Sequence, residues 1–591
     1  MNYPINISDY LEKYKKLTPK NLEHKYCKIA LLSSSTIKYI KEILAVKGRE
    51  IGLEIDTFMG GYNQYSQEIM EEDSKLYKFD PNLVILFIDT RALLGDLFFN
   101  FYELNIEERK ELLVSKKQEL TGLIDILKGK IKAKIVVHNF EIPSNSSLGI
   151  LENKQELGKT EFIEKTNEWL RDYYKTDSQV FIFDYNCFIS NLGKKEIFDY
   201  KMYYLADTKL GFDYFPLLVD QYFSYIKPLM SISKKCLVLD LDNTLWGGIV
   251  GEDGVEGIKL GPMPEGRPFL EFQKYILSLF NRGVILAINS KNNYNDVLKV
   301  FNEHPYMILK EDHFASVQIN WNDKISNMKT IAQELNIGLD SFVFFDDDKL
   351  NREMIKDSLP EIKVVDLPED YSLYLKTIEE LDDFNTFQLT EEDKKKGKMY
   401  ADQRRRSDFI KSTQNATEYL KGLQMKVTIE EVNKFNVSRI SQLTQKTNQF
   451  NMTTRRYLEE DIKNFALNHD FLVFSVTVED KFGDNGITGA AIIEKCKNHF
   501  RVDTFLLSCR VIGRRIEEIM LAYILERAKT EKVKTLLGEF IPTTKNIPAK
   551  EFFKENGFKL IKINGNIEIW EFPVETEYKS PEFIEVIKAS H

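Results

Sequence analysis

The chain has 591 residues, enough for three or four domains of ordinary size. Hydrophobic residues make up 43% and charged residues 29%, a composition that can fill several cores and excludes global disorder. The 91 acidic residues outnumber the 81 basic ones and give a net charge of −10, so no positive surplus favours nucleic acid as a partner.

The cysteines and the apolar segments bear on the compartment. Five cysteines are scattered without a C-x-x-C pair, which is typical of reduced thiols in the cytosol rather than of disulfides or a zinc site. The most apolar stretch, residues 83–102, is interrupted by Asp89, Arg91 and Asp96, and residues 1–16 carry charges where a signal peptide needs an apolar core. We therefore predict a cytoplasmic protein that binds neither membranes nor nucleic acid.

Residues 1–228 alternate short apolar runs with amphipathic stretches. The runs predict buried parallel strands at 28–32, 83–88, 134–137 and Val180–Phe183. Between them, the pattern predicts helices that include 107–128 and 161–175. This alternation is typical of a layered α/β domain.

A second α/β pattern covers residues 229–385. Its predicted strands are Cys236–Leu239, 284–288 and Phe342–Phe345. A strongly charged segment follows at 386–411, with the strings EEDKKKGK and DQRRRSD. Such a segment is most often a solvated helix or linker, and we assign it no binding role.

The pattern changes over residues 412–575. Successive strands are predicted at 471–479, 488–494 and 500–507, with a turn at 482–486, and a long helix is predicted at 516–529. A shorter strand–helix–strand closes the domain. Hairpins with flanking helices favour an α+β domain, and residues 576–591 are predicted to be a short tail.

Two carboxylates follow the first strand of the second pattern. Asp240 and Asp242 come directly after Cys236–Leu239 and so lie at the carboxyl edge of a parallel sheet, where α/β folds place their chemistry. One carboxylate can attack phosphorus while the other handles the leaving-group proton. Both need a hard cation beside the phosphate, and Mg²⁺ suits carboxylates and water.

Three later features strengthen this prediction. Ser290 follows an apolar strand, Lys324 precedes a helix, and Asp346, Asp347 and Asp348 follow Phe342–Phe345. Each alone has an ordinary alternative: a turn serine, a surface lysine, or a solvated acidic turn. Together they supply a hydroxyl, a fixed positive charge and further carboxylates for a phosphoryl-transfer site.

These motifs resemble the four motifs of the haloacid dehalogenase (HAD) superfamily, and the string DLDNTLWGGIVGEDG at 240–254 resembles its FkbH-like branch. The resemblance implies that Asp240 is the nucleophile and Asp242 the general acid/base. It implies that three residues hold the substrate phosphate: Thr244, Ser290 and Lys324. It also implies a Mg²⁺ site made by Asp240, Asp242, Asp346 and Asp347, with Asp242 contributing its backbone.

The same resemblance implies a Rossmann-like parallel sheet without a large cap domain. The glycine-rich segment 245–261 would form a hairpin-like flap, and no long insertion follows it or Ser290. An open site suits a bulky substrate or a covering neighbour domain. Where the family often has proline and then glutamate, this chain has Leu350 and Asn351, which we expect to change the support around the site but not its nucleophile.

The C-terminal domain contains a second candidate site in the string LLSCRVIGRR at 506–515, which leads from a strand into a helix. Arginines and free backbone N–H groups at a helix start suit a pyrophosphate or a phosphopantetheine phosphate. The same field would favour the thiolate of Cys509, although a lone cysteine at a strand end is often only a packing residue.

This domain resembles the GNAT acyltransferase fold, whose phosphate loop reads Arg/Gln-x-x-Gly-x-Gly/Ala. Arg510, Gly513 and Arg514 match the first, fourth and fifth positions and are implied to bind pantetheine or its phosphate, while Arg515 replaces the final small residue. The strings at 442–451, 480–489 and 542–546 also look FkbH-like. The resemblance therefore runs from about residue 235 to residue 572.

FkbH-like proteins of this type resemble glyceryl transferase/phosphatases. The resemblance implies that 1,3-bisphosphoglycerate, a small phosphorylated three-carbon acid, is dephosphorylated and that its glyceryl unit is loaded as a thioester onto an acyl carrier protein. Cys509 could attack the acyl phosphate, and the phosphopantetheine thiol of the carrier could accept the acyl group. Two alternatives stay open: a phosphatase fused to a coenzyme A-dependent N-acetyltransferase, and a non-catalytic scaffold that binds a carrier protein.

The N-terminal domain resembles the SGNH-hydrolase-like module that often precedes this core. Ser33, Ser34 and Ser35 follow the first strand, where a nucleophile would lie. No Asp-x-x-His occurs before the second domain, and the histidines available there are His24 and His138. Because a serine hydrolase needs a histidine base, we favour a structural or partner-docking module.

Overall fold

The computed structural model describes residues 6–17, 25–412 and 415–589. The chain divides into two compact units, Met1–Met230 and Ser231–His591. His24 lies outside the described residues. The mixed α/β character predicted from the sequence is confirmed, whereas the domain boundaries proposed within the second unit stay predictions.

The N-terminal unit contains a five-stranded parallel sheet with the strand order β2-β1-β3-β4-β5. Its strands are β1 (Lys25–Ser33), β2 (Leu53–Met59), β3 (Leu83–Phe87), β4 (Lys134–His138) and β5 (Val180–Phe183). Its helices are α1 (Ile7–Lys15), α2 (Ile40–Glu50), α3 (Tyr65–Met70), α4 (Lys75–Phe79), α5 (Thr90–Leu94), α6 (Leu97–Asn100), α7 (Ile106–Lys130), α8 (Lys159–Tyr173), α9 (Tyr185–Leu192), α10 (Lys194–Ile197), α11 (Tyr200–Ala206) and α12 (Phe215–Leu229). The sequence predicted each strand except β2.

The second unit begins with another five-stranded parallel sheet, here called the middle sheet, in the order β10-β9-β6-β7-β8. Its strands are β6 (Cys236–Leu239), β7 (Ile285–Ser290), β8 (Phe314–Ile319), β9 (Phe342–Phe345) and β10 (Lys363–Val364). The helices around it are α13 (Val250–Gly257), α14 (Arg267–Asn281), α15 (Tyr294–Glu303), α16 (Lys324–Leu335), α17 (Lys349–Ser358) and α18 (Tyr374–Glu379). Every residue of the central strand β6 is buried, because helices cover both faces of the sheet.

The charged segment after the middle sheet forms one long helix, α19 (Glu391–Ser412). Its helical state agrees with the sequence, but the expectation of a solvated helix is wrong. Tyr400 is 2% exposed and packs into the core on one face of the middle sheet, and Arg406 is 1% exposed and pairs with Asp480. The buried side of the helix carries too few apolar residues to stand out from its charges.

The remaining strands form a nine-stranded mixed sheet, here called the C-terminal sheet. Its main path is β17-β18-β16-β15-β14-β13-β11-β19, and β12 pairs with β15. The strands are β11 (Lys426–Glu431), β12 (Phe450–Asn451), β13 (Phe471–Asp480), β14 (Gly483–Lys495), β15 (His499–Leu507), β16 (Thr535–Phe540), β17 (Lys559–Asn564), β18 (Ile567–Pro573) and β19 (Glu585–Ala589). The helices are α20 (Ala416–Gly422), α21 (Val437–Lys446), α22 (Glu459–Leu467), α23 (Ile516–Thr530) and α24 (Phe552–Glu555).

The segment predicted to be a tail is part of this sheet. Glu585–Ala589 forms β19, which pairs in parallel with β11. Short alternating segments with several charged residues carry little apolar signal, so the sequence did not distinguish this edge strand from a loop. Across the described ranges, no helix is both long enough and apolar enough to cross a membrane.

Candidate active site

Three neighbouring parallel strands end at one edge of the middle sheet. β6 lies between β9 and β7, with Leu239 paired to Phe345 on one side and to Ile288 on the other. The Asp240 N–H donates to the carbonyl of Phe345 at 3.0 Å and fixes the start of the loop that follows. The residues placed at this edge are Asp240, Ser290, Asp346 and Asp347.

Lys324, the first residue of α16, joins two of these carboxylates. Its Nζ lies 2.9 Å from Asp240 Oδ2 and 2.5 Å from Asp346 Oδ2. The side chains of all three residues are largely or fully buried. Carboxylate oxygens of Asp240, Asp346 and Asp347 lie within 4.8 Å of one another. The structure therefore brings the predicted lysine and three of the predicted aspartates into one cluster.

Burial makes this cluster costly to ionise. Burial, and after it the charge of Asp240, raises the pKa of Asp346 to about 7 and that of Asp347 to about 6. For Lys324, burial alone lowers the pKa, but the charges of Asp240 and Asp346 outweigh it, and the pKa is raised. One ammonium thus faces three carboxylates, and the cluster favours one more cation.

The donor set fits Mg²⁺. Three carboxylates supply hard oxygen ligands at one sheet edge, and a magnesium site commonly needs only a few carboxylates because water completes its coordination. Asp240, Asp346 and Asp347 are the residues that would hold the ion. The side chain of Asp242 is not part of this cluster, so any contribution from Asp242 would come from its backbone, as the sequence resemblance implied.

Three donors hold the carboxylate of Asp242 in place. Trp246 Nε1 and the Val250 N–H donate to its Oδ1 at 2.9 and 3.1 Å, and Asn292 Nδ2 donates to its Oδ2 at 2.8 Å. Burial raises the pKa of Asp242. A positioned carboxyl group with a raised pKa suits general acid/base work. The sequence identified Asp242 but gave no reason to single out Asn292.

The two hydroxyl side chains assigned to the phosphate are both buried. Ser290 ends β7 and is 1% exposed. Thr244 is fully buried, and its hydroxyl has no hydrogen-bond partner among the described residues. Their contact with a substrate phosphate stays a prediction, since both hydroxyls lie beneath the surface in this structure.

The predicted flap is closed at its base like a hairpin. Gly247 and Lys259 exchange two backbone hydrogen bonds of 3.1 and 2.7 Å, and between them runs the short helix α13, which is interrupted at Gly254. Gly254 has a φ of 70°, which side-chain-bearing residues seldom adopt, so a glycine is needed there. The chain elements after the flap and after Ser290 are single helices, so this region holds no cap domain.

The support behind the acidic loop comes from Arg352, which the sequence did not single out. Its Nη1 donates to the carbonyls of Asp346 and Asp347, both at 2.7 Å. Asn351 Nδ2 lies 3.5 Å from Asp346 Oδ1, a weak contact where the family often has glutamate. In this chain a guanidinium fixes the backbone of the loop, and the expected difference in support from the family stays a prediction.

Cys509 lies between the C-terminal sheet and the core of the middle sheet. Its Sγ is 3.0 Å from the hydroxyl of Tyr400, and Asn336 Nδ2 donates to its carbonyl at 3.0 Å. The side chain is partly exposed and packs beside the hydrophobic cluster that contains Cys236. This position combines packing with access to solvent, and a nucleophilic role for Cys509 stays a prediction.

The predicted phosphate loop turns its arginines inward. Gly513 has a φ of 80°, as a tight loop requires, but Arg510 and Arg514 are only 6% and 3% exposed. Arg514 Nη1 donates to Asp480 at 3.0 Å, and Arg515 points outward and pairs with Glu518. Binding of a phosphate by Arg510, Gly513 and Arg514 stays a prediction, and in this conformation Arg514 shares Asp480 with Arg406.

The parallel strands β15 and β16 pair only between His499–Val502 and the first residues of β16, and then diverge. The gap between them is filled by this chain's own β12 and Met452. The Met452 N–H donates to the carbonyl of Phe505 at 3.1 Å, and the Met452 carbonyl accepts from the N–H of Ile541 at 2.8 Å. An extended ligand with amide groups would bind here by pairing with a free strand edge. The edge of β15 is already paired with β12, so such a ligand would have to displace β12.

Comparisons with known proteins address the family. Residues 28–227 match the model of the family described as FkbH, N-terminal domain. We call this N-terminal part of the chain the FkbH domain after the family that it matches. This confirms the predicted resemblance to FkbH-like proteins. No curated protein matches the sequence.

Solved structures give a second comparison. The N-terminal part of the protein BF1531 from Bacteroides fragilis, containing a phosphatase domain and complexed with Mg, is 29% identical with a TM-score of 0.60, over 66% of this chain and 100% of that chain. The ribosomal-protein-S18-alanine N-acetyltransferase from Escherichia coli is 14% identical with a TM-score of 0.21, over 26% of this chain and 96% of that chain. The second value is too low to support an assignment.

The serines and the buried histidine of the FkbH domain have different hydrogen-bond partners. Ser33 ends β1 and Ser34 follows it, and their hydroxyls accept hydrogen bonds from the backbone N–H groups of Ser35 and Asp89 at 3.0 and 2.8 Å. His138 is fully buried among aromatic rings and lies 3.1 Å from the Tyr222 hydroxyl. Burial lowers the pKa of His138 to about 3. The SGNH-hydrolase-like assignment stays a prediction.

Proposed function

We propose that this protein is a Mg²⁺-dependent phosphatase that acts on a phosphorylated three-carbon acid, 1,3-bisphosphoglycerate being the expected one, and loads the acyl unit onto an acyl carrier protein. The observation that supports it is the cluster of Asp240, Asp346, Asp347 and Lys324 at the edge of the middle sheet. The FkbH domain and the Mg-complexed phosphatase neighbour support the phosphatase-like function.

The first step would be an in-line displacement at phosphorus. Asp240 would attack the phosphorus atom, the bond from phosphorus to the substrate oxygen would break, and that oxygen would take a proton from Asp242. Asp242 would then accept a proton from water as the water attacks the aspartyl-phosphate and releases inorganic phosphate. Bound Mg²⁺ would offset the charge of the phosphate oxygens.

Lys324 has a distinct part in this sequence. Its ammonium is fixed between Asp240 and Asp346, so it presents a positive charge beside the attacking carboxylate without reorganising. As Asp240 bonds to phosphorus it loses its negative charge, and Lys324 becomes free to interact with the phosphate oxygens. Such a preorganised positive charge would stabilise the transition state of phosphoryl transfer.

The acyl transfer would use the C-terminal domain. The thiolate of Cys509 would attack the carbonyl of an acyl phosphate, the carbon–oxygen bond would break, and phosphate would leave. The phosphopantetheine thiolate of the carrier would then displace Cys509 and take the acyl group as a thioester. Cysteine usage favours the cytoplasm, where the acyl phosphate and the carrier would both be available.

Intact-protein mass spectrometry tests both halves. The full chain is mixed with Mg²⁺, 1,3-bisphosphoglycerate and a phosphopantetheinylated carrier protein, and free phosphate is measured in parallel. We expect a glyceryl-sized mass gain on the carrier, and release of the second phosphate, the monoester, that a chelator abolishes. Phosphate release without any mass gain would overturn the loading reaction and leave the phosphatase.

Matched variants separate the two sites. Asp240→Asn should abolish phosphatase turnover, while Asp348→Asn should not, because Asp348 only caps α17 through its bond to Leu350 N. Cys509→Ala should abolish loading and spare phosphatase turnover, with Cys496→Ala as its control in the same domain. Undiminished loading by Cys509→Ala would remove Cys509 from the mechanism.

A further inference from the structure

An exposed tryptophan lies at the catalytic edge of the middle sheet. Trp321 is in the loop between β8 and α16 and is 71% exposed. It precedes Lys324 by three residues, a stretch of chain that spans at most about 11 Å, so its backbone lies close to the carboxylate cluster. Single exposed apolar side chains are ordinary on protein surfaces, so the exposure alone assigns no role to this ring. What distinguishes Trp321 is how it is held.

The loop that carries the ring is fixed at both ends to the end of β7. The Asn320 N–H donates to the carbonyl of Ser290 at 3.2 Å. At the other end of the loop, the carbonyl of Lys324 accepts from Asn289 Nδ2 at 2.9 Å. Asn327 Nδ2 donates to both Asn289 Oδ1 and Asn320 Oδ1 at 3.1 Å. These connected hydrogen bonds hold the loop in one position beside the site.

The indole is held at its polar edge. Trp321 Nε1 donates to Asn293 Oδ1 at 3.0 Å, and Asn293 directly follows Asn292. The amide of Asn292 in turn donates to Oδ2 of Asp242, the proposed general acid/base, at 2.8 Å. Because Nε1 is the only polar atom of an indole, this bond leaves both faces of the ring apolar. It also restricts the ring, so a group that packs on it has less side-chain entropy to overcome.

The flap carries a second exposed apolar side chain near the same carboxyl group. The Val250 N–H donates to Asp242 Oδ1 at 3.1 Å, and the residue before it, Ile249, is exposed. Each oxygen of Asp242 is therefore contacted by a segment that bears or binds an exposed apolar side chain. Trp321 and Ile249 are thus placed near the group that would protonate the leaving group.

The position of Asp242 determines which part of a substrate meets these side chains. In the proposed reaction Asp242 gives its proton to the leaving-group oxygen, so the leaving group lies beside Asp242 and the phosphate lies beside Asp240. The leaving group of free phosphoglycerate has a hydroxyl and a carboxylate but almost no apolar surface. Its carboxylate would also add negative charge next to the carboxyl group of Asp242. Trp321 and Ile249 match a leaving group that is uncharged and extended.

We propose that Trp321 is a specificity-determining residue of the phosphatase site, and that its indole packs against a phosphorylated acyl unit already joined as a thioester to a pantetheine arm. The thioester removes the charge of the carboxylate, and the pantetheine chain supplies methyl groups and planar amides that can cover an indole face. This inference rests on the proposed function.

The proposal places the phosphatase reaction after loading. The displacement at Asp240 would break the bond from phosphorus to the oxygen of the acyl unit, and that oxygen would take the proton of Asp242. Water would supply the fourth oxygen of the released phosphate as it attacks the aspartyl-phosphate. The thioester would stay intact throughout.

The test measures phosphate release by the full chain with Mg²⁺ from two compounds, 3-phosphoglycerate and its pantetheine thioester. The variants are Trp321→Ala, which removes the ring, and Trp321→Phe, which keeps an apolar ring without the Nε1 donor. Phe435→Ala is the control, because it removes an exposed ring from the loop after β11 in the same unit. Each protein gives a ratio of kcat/KM for the thioester to kcat/KM for the free acid.

We expect the unaltered chain and the control variant to prefer the thioester by at least about tenfold. Trp321→Ala should reduce that ratio to about one by raising KM for the thioester, and Trp321→Phe should retain most of it. Equal kcat/KM for the two compounds in the unaltered chain, or an unchanged ratio in Trp321→Ala, would overturn the inference. Phosphate release from neither compound would contradict the proposed phosphatase instead.

A binding measurement tests the role of Trp321 without turnover. Calorimetric titration of Asp240→Asn with the thioester gives its affinity, and adding Trp321→Ala to that variant should weaken binding by about tenfold. Adding Phe435→Ala instead should leave the affinity unchanged. Equal affinity with and without the ring of Trp321 would overturn the inference whatever the turnover.

Discussion

Asn292 helps to hold the carboxyl group of Asp242, the proposed general acid/base, in position. It is buried, and its amide holds one oxygen of Asp242 while Trp246 and the Val250 N–H hold the other. In the proposed reaction, these hydrogen bonds would keep Asp242 in place for protonation of the leaving-group oxygen. Without Asn292, Oδ2 of Asp242 would lose this hydrogen bond. The carboxyl group could then rotate, or Oδ2 could accept a hydrogen bond from water.

Asn292→Ala should lower kcat of phosphate release by about 10- to 100-fold while leaving KM nearly unchanged, because positioning of the acid is lost and substrate contacts are not. The neighbouring exposed Asn293 provides the control, and Asn293→Ala should retain full turnover. Steady-state kinetics at saturating Mg²⁺ checks both. A rise in KM with unchanged kcat would show that Asn292 contacts substrate instead.

His138 makes the FkbH domain sensitive to acid. Its folded pKa of about 3 lies below the unfolded value of 6.5, so the unfolded chain binds an extra proton between these values. Stability is therefore fully present above about pH 6.5 and is lost as the pH falls toward 3. The cause is burial of the ring among aromatic side chains, which excludes the charged form.

The free energy of unfolding of the FkbH domain should fall by about 2 kcal/mol between pH 7 and pH 5 on account of this residue. His138→Gln should flatten that slope whatever its effect on absolute stability, and His469→Gln, at an exposed position, should not. Chemical denaturation at the two pH values measures the slope. The same slope in His138→Gln would assign it to other groups.

At the scale of elements, α19 is the helix whose role the sequence misjudged. Thirteen of its 22 residues are charged, yet Tyr400 enters the core beside the middle sheet and Arg406 reaches Asp480 of the C-terminal sheet. Hydrophobic periodicity records only apolar residues, so a helix with so few buried apolar side chains gives almost no signal. The helix therefore packs against both the middle sheet and the C-terminal sheet and is not a solvated linker between them.

Tyr400→Ala should destabilise the second unit by about 3 kcal/mol, because a large buried ring is removed from a packed core. Lys398→Ala, on an exposed part of the same helix, should stay within about 0.5 kcal/mol of the unaltered chain. Denaturant unfolding followed by near-ultraviolet circular dichroism measures both. Equal midpoints for the two variants would mean that α19 is not docked in solution.

The same scale explains what could be predicted of the fold. β6 and β9 are uninterrupted apolar runs that end at aspartates, and both were predicted with their actual bounds. β2 mixes polar and apolar residues at a sheet edge, and β8 mixes them too and is fully buried only in its first half, so neither was predicted as a buried strand. A strand can be predicted from the sequence where all of its residues are buried, and is harder to predict where only some of them are.

For the candidate site, the residues next to strand ends and Lys324 at a helix start were predictable, whereas Asn292 and Arg352 were not. Asp240 and Asp346 could be predicted from their positions, because a carboxylate directly after a buried strand has few structural roles. Arg352 reaches the acidic loop from the following helix, and Asn292 reaches Asp242 from the segment after β7. Convergence of this kind needs the three-dimensional structure.

At the scale of the whole molecule, the candidate chemistry is confined to the second unit, Ser231–His591. The FkbH domain contributes serines at a strand end but pairs its described histidine with Tyr222 rather than with them. The carboxylate cluster and Cys509 both belong to the second unit. The proposed reaction therefore does not require the serines of the FkbH domain.

Replacing Ser33, Ser34 and Ser35 together by alanine should leave carrier loading and phosphate release within about twofold of the unaltered chain. Loss of two buried hydrogen bonds should cost the FkbH domain about 2 kcal/mol, so circular dichroism must accompany the activity assays. Lost loading in a correctly folded triple variant would give the serines a catalytic part.

The pairing of β19 with β11 has a consequence for biosynthesis. β11 is the first strand of its sheet to leave the ribosome, and its parallel partner at Glu585–Ala589 is the last. Until that late segment is translated, β11 keeps one row of amide and carbonyl groups unpaired, an edge that can recruit strands from other nascent chains. The sheet is thus safest from aggregation only after its final strand has been made, and chaperone demand should peak just before that moment.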